Sequence, residues 1–160
     1  MPKIVAKSQV SSSSDGVPDK LVANSTDMQQ RTLQRHPQLT SASTVHCICG
    51  EFNLVIDKSL SALPRRRTDA ATIVPTRDSA VAKARIFKLN ALPAPEPILV
   101  ERQGGVERQY KFSCGRCTLP IAYQTTPPPV KAGAYLYVLH GSLSQVQGQI
   151  PPEAFDGEEG

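Results

Sequence analysis

Four cysteines constrain what this chain can fold into more than any other feature. They form two pairs, Cys47-x-Cys49 in HCICGEFNLVID and Cys114-x-x-Cys117 in YKFSCGRCTLP, and the chain has no others. Because 64 residues lie between the pairs, a link between them ties distant segments together and is no local finger. Zinc favours four soft thiolates at about 2.3 Å, and a gap of one or two residues lets neighbouring cysteines reach one ion. Gly50 follows the first pair and Gly115 splits the second. Glycine tolerates positive φ, which lets backbone N–H groups turn toward the sulfurs. The expected site is one structural Zn²⁺ held by Cys47, Cys49, Cys114 and Cys117. Reduced buried thiols and disulfides are the competing readings. Disulfides belong to oxidising compartments, and MPKIVAKSQVSSSSDG has no apolar run of the kind a signal peptide carries. His46 abuts Cys47 and competes as a ligand.

The rest of the composition fits a small core stapled by metal. There is no Trp, and 4 Phe and 4 Tyr cannot fill a core spanning the whole chain. Fourteen prolines favour strands and loops over long helices. No stretch approaches the roughly 20 apolar residues that cross a bilayer. A net charge of +4 permits weak RNA or acidic-membrane contact without requiring either.

Residues 1–43 are rich in Ser, Thr, Gln, Asp and Lys without sustained periodicity, and read as a disordered tail with at most a transient turn over Asp27–Arg35. The folded part is expected to begin at Thr44. EFNLVID alternates, with Phe52, Leu54 and Ile56 on one face and a mostly polar opposite face. Arg65, Arg66 and Arg67 form a basic run, read as a solvated loop or as a phosphate or partner contact. Thr76 as N-cap, Asp78 in the first turn, and Ala80, Ala84 and Phe87 on one face predict a short helix over Arg77–Lys88. Ile98–Glu101 and Val106–Phe112 around Gln103-Gly104-Gly105 predict a hairpin. Leu119–Gln124 and Ala134–Leu139 read as strands, and Leu143–Ile150 as a last edge strand before an acidic, frayed end. The domain expected is thus mostly β with one short helix: a tail over 1–43, a zinc-binding β domain over 44–142, and an edge strand with a frayed C-terminus over 143–160.

Several quoted runs resemble the STING endoplasmic-reticulum exit protein family. MPKIVAKSQV resembles its start, HCICGEFNLVID its Cys-x-Cys-Gly strand, LPRRRTDAATIV its Arg-rich segment, and VERQYKFSCGRCTLPIAYQ its most diagnostic run. The resemblance spans the first ten residues and about 44–142. It implies a non-enzymatic adaptor for exit of a membrane client from the endoplasmic reticulum, acting at its cytoplasmic face with coat or lipid-kinase components. The alternative it leaves open is a nuclear, spliceosome-associated protein with splicing factors as partners. By analogy the split cysteine pairs are similar to zinc-stapled β-folds of the Mss4 and β-tent kind.

Some of those fold relatives are enzymes, which need an open zinc position or further reactive cysteines. Four thiolates close the ion to water, and His36, His46 and His140 have no nucleophile motif beside them. No catalytic residue is therefore assigned. In a strand, Glu107 and Gln109 face one side and Arg108 and Tyr110 the other. Tyr110 and Arg108 either support the metal site or form a partner-binding edge. The expected partner contacts are Arg65, Arg66, Arg67, Arg108 and Tyr110.

Overall fold

A computed structural model describes residues 42–155. Residues 1–41 of the tail expected over 1–43, and 156–160 of the acidic end, lie outside the described residues; Ser43, placed in that tail, opens the first strand.

Among the described residues ten strands form two antiparallel sheets. The first contains β1 (Ser43–Cys47), β2 (Phe52–Ile56), β4 (Phe87–Leu89) and β10 (Leu143–Ser144), in the order β10-β1-β2-β4. The second contains β3 (Thr72–Pro75), β5 (Leu92–Pro93), β7 (Gly105–Ser113), β8 (Pro120–Gln124) and β9 (Tyr135–Val138), in the order β3-β9-β8-β7-β5. Here β6 (Ile98–Arg102) pairs with β7. The domain is mostly β, as the alternation predicts.

The main core is shared between the sheets. Val45, Leu54, Ile56 and Phe87 come from the first, and Val74, Phe112, Ile121, Leu136 and Val138 from the second. The cysteines join the same cluster, Cys47 and Cys114 as buried members and Cys49 and Cys117 packed against it. Strand β2 departs from its expected half-polar pattern, because every residue in it is buried. Asn53 tolerates this because its amide is satisfied. Its Oδ1 accepts the Cys47 N–H at 3.1 Å and its Nδ2 donates to the Asn90 carbonyl at 2.8 Å.

The helix predicted over Arg77–Lys88 does not form. The segment is irregular up to Ile86 and then enters β4, where Phe87 pairs with Ile56. Its polar side chains bind the local backbone instead. Asp78 Oδ1 accepts the Ala84 N–H at 2.8 Å, and Ser79 Oγ accepts the Ala82 N–H at 3.1 Å. These contacts offer the chain an alternative to the helical ladder, and Phe87 gains a place in the core. Among the described residues the helical turns are 3-10, at Leu60–Ala62 and Pro152–Phe155.

The predicted hairpin is β6–β7, with Glu101 opposite Val106. The last strand is shorter than expected. Only Leu143–Ser144 pairs, with Cys47 and His46 of β1. The chain beyond it stays attached: Gln147 donates to the Gly50 carbonyl at 2.9 Å, and Pro151 is buried.

Candidate metal centre

Each cysteine pair sits where a strand turns back. Cys47 ends β1 and is followed by a tight turn in which the Gly50 N–H donates to the Cys47 carbonyl at 2.8 Å. Gly50 has φ +85°, the left-handed conformation that glycine was expected to supply. Cys114 follows β7, and its turn is closed by the Thr118 N–H donating to the Cys114 carbonyl at 3.0 Å. Here the left-handed residue is Thr118, at φ +63°, and not Gly115. The Cys114 N–H donates across the base of its loop to the Leu119 carbonyl at 2.9 Å, as the Cys47 N–H does to Glu51 at 2.9 Å. The two turns are thus built alike from different sequence.

The fold brings the turns together. All four Sγ atoms lie within 4.8 Å of one another. Cys47 and Cys117 are 3.4 Å apart and Cys49 and Cys114 are 3.7 Å apart, so none is in a disulfide. A regular tetrahedron of thiolates around zinc has sulfurs about 3.8 Å apart for bonds of about 2.3 Å. The group can therefore hold a metal ion with little rearrangement. Arg116 ties one turn to the other by donating from Nη1 to the Cys49 carbonyl at 3.2 Å.

The environment separates Cys47 and Cys49 from Cys114. Burial pushes Cys47 up to about 12 and also raises Cys49. Burial acts on Cys114 in the same sense, but the backbone N–H groups of Cys117 and Arg116 point at its sulfur and hold it down, at about 7. Such N–H groups stabilise a thiolate and support a metal ligand from behind. His46 is not part of the group. It is buried in β1 with its ring edge against Phe52, centroids 6.0 Å apart, and burial lowers its pKa.

Residues 37–153 match the STEEP1 domain. This chain belongs to the STEEP1 domain family. It is 26% identical over 154 residues to the STING ER exit protein of Drosophila melanogaster, covering 94% of this chain and 52% of the relative. It is 29% identical over 97 residues to the ER exit protein of Schizosaccharomyces pombe, covering 61% of this chain and 75% of the relative. The chain thus spans about half the length of the fly protein it matches.

The basic run of this STEEP1 domain divides. Arg65 and Arg67 are exposed, and Arg65 donates from Nη1 to His140 Nδ1 at 3.0 Å. Arg66, expected among the partner contacts, turns inward. It forms a bidentate pair with Glu107, donating from Nη1 to Oε1 at 2.8 Å and from Nη2 to Oε2, and donates from Nη1 to the Tyr123 hydroxyl at 2.7 Å. Its guanidinium lies 4.7 Å from the Tyr137 ring centroid. The Tyr123 hydroxyl donates to Asp69 Oδ2 at 2.5 Å, Arg102 donates to the same oxygen at 2.9 Å, and Gln109 donates to Glu107 at 2.7 Å. The Arg66 guanidinium holds the Glu107 carboxyl at about 2. Burial and the Asp69 contact push Tyr123 well above its usual range.

Sequence reasoning missed this cluster. The available signal was the shared face of Glu107 and Gln109 together with Asp69 close behind the arginine run. Arg108 and Tyr110 lie on the opposite face of β7. Arg108 is exposed and forms no ion pair among the described residues, and Tyr110 is half-buried opposite Gln124.

Proposed function

We propose that this STEEP1 domain is a zinc-binding adaptor that promotes exit of a membrane client from the endoplasmic reticulum through protein–protein contacts. The observation that carries the reading is the convergence of four cysteine sulfurs within 4.8 Å, in a chain whose relatives are named for ER exit. Cys47, Cys49, Cys114 and Cys117 are the ligands. A Zn²⁺ ion with four thiolates has no position left for water, so its role is to lock two turns and not to activate a nucleophile. The domain therefore acts by presenting a rigid surface. Arg65, Arg67, Arg108 and Tyr110 belong to that surface, while Arg66 supports it from within. Among the described residues no helix is long and apolar enough to cross a membrane. Following the family resemblance, the proposal takes the cytoplasmic face of the endoplasmic reticulum as the place of action, with coat or lipid-kinase components as partners.

Imaging a tagged chain, together with pull-downs made with and without RNase, tests the reading. Reticular signal and co-purification of coat or kinase subunits are expected. Nuclear signal with RNase-sensitive splicing factors would overturn it.

A further inference from the structure

A second site stands at the seam between the sheets. It is a cavity of about 300 Å³, at the small end of the roughly 300–1,000 Å³ range of ligand pockets. Its apolar lining comes from Val45 of β1, Val138 of β9, Leu143 of β10 and Leu60. Two opposite charges line the same cavity, Arg65 and Glu153. They do not close on each other, and neither forms an ion pair among the described residues. His140 beside Arg65 accepts a hydrogen bond from it at Nδ1.

The placement of Glu153 is built into the fold. Gly141, at φ +69°, lies directly against the backbone of the C-terminal 3-10 turn. A Cβ there would meet the Glu153 carbonyl oxygen at 2.6 Å. Only a residue without a Cβ allows this close approach of the Glu153 segment to the β9–β10 turn, which forms one wall of the cavity. Arg65 is fixed in the same way by its backbone bridge to Thr72.

We propose that this cavity binds an α-carboxylate that carries a branched apolar side chain and an adjacent N–H donor. The carboxylate meets the Arg65 guanidinium, whose fork matches it. The N–H group meets the Glu153 carboxylate. The side chain lies on Val45, Leu60, Val138 and Leu143, and the volume suits one residue. Two sources share this chemistry: a free apolar amino acid, and the last residue of a peptide chain. The site does not depend on the ER-exit reading.

Titration of the full chain, followed by amide chemical shifts, tests the proposal with leucine, N-acetyl-leucine, leucinamide and a short peptide ending in a free leucine carboxylate. Shifts are expected around Val45, Val138 and Ser144, with leucinamide at least about tenfold weaker than leucine. Preference for leucine over N-acetyl-leucine assigns the site to the free amino acid, and the reverse preference, shared by the peptide, assigns it to a chain end. Arg65→Gln is expected to weaken binding about tenfold, and Glu153→Gln to weaken leucine more than N-acetyl-leucine. Both side chains reach solvent, and unchanged thermal unfolding of the variants excludes a folding defect. No response to any carboxylate at about 10 mM, or leucinamide binding as tightly as leucine, would overturn the proposal.

Discussion

Two clusters fasten this domain, and they differ in what they need. The thiols of Cys47, Cys49, Cys114 and Cys117 close the β1–β2 and β7–β8 turns upon each other. Arg66, Asp69, Arg102, Glu107 and Tyr123 join the loop before β3 to the β6–β7 hairpin and to β8. The second cluster is complete in itself. Each charge faces an opposite charge, and the buried Tyr123 hydroxyl connects Arg66 to Asp69. The first brings four sulfurs within 4.8 Å of one another, and on the proposed reading it gains its strength from an ion. The contrast teaches that the metal centre should fail as a unit, whereas the ion cluster should weaken by degrees.

The largest effect is expected at Cys114. Cys114→Ser leaves three thiolates and removes the sulfur toward which two N–H groups point. Because metal binding and folding are linked, cooperative unfolding should be lost, as read by circular dichroism during a thermal scan. A graded loss, with a sharp transition retained, would erase the distinction between the clusters.

Glu107→Gln should be milder. Breaking a buried ion pair costs about 3–5 kcal/mol, and partial exposure and the remaining partners should reduce this to about 2–3 kcal/mol. The Glu107 side chain is 14% exposed and that of Arg66 is 23%. Chemical denaturation should show this loss while bound metal stays unchanged.

Acid should reproduce that loss in the wild type. Glu107 is depressed from 4.5 to about 2 in the folded state. Its contribution is therefore complete above about pH 4.5 and disappears as pH falls toward 2, at a total of roughly 3 kcal/mol. The stability difference between wild type and Glu107→Gln should close over that window. Loss of metal in acid affects both proteins and cancels in the comparison. A difference that stays constant down to pH 2 would show that Arg66 does not act through the Glu107 charge.

The smallest effect is expected at Arg67, which is exposed next to Arg65 and Arg66, the two arginines of the run that have partners. Arg67→Ala should change stability by less than about 0.5 kcal/mol. Weaker capture of the proposed partner, at unchanged stability, would assign it to the contact surface.

The two clusters were also unequally legible. Thiols are rare and their chemistry is narrow, so two spaced pairs sufficed to nominate the centre. Strand-like runs of β-branched and aromatic residues located β2, β8 and β9, and a glycine turn between two such runs located β6 and β7. Charges are common on every surface, and Arg66 cannot be told from Arg65 or Arg67 in the sequence. What distinguishes it is Glu107, brought close only by the fold. The missing helix over 77–88 has a related cause. Asp78 and Ser79 suit a helix start and a loop equally well, and the loop prevails once Phe87 pairs with Ile56. Asn53 looked like a solvent-facing residue because its partners, the Cys47 N–H and the Asn90 carbonyl, are set by the fold.

Metal content of the purified full-length chain tests the central claim most directly. Elemental analysis should find about one zinc per chain, with X-ray absorption showing four sulfurs at about 2.3 Å. Removing the ion with a chelator should abolish cooperative unfolding, and adding zinc back should restore it. A chain with little or no zinc that still unfolds cooperatively would contradict the account.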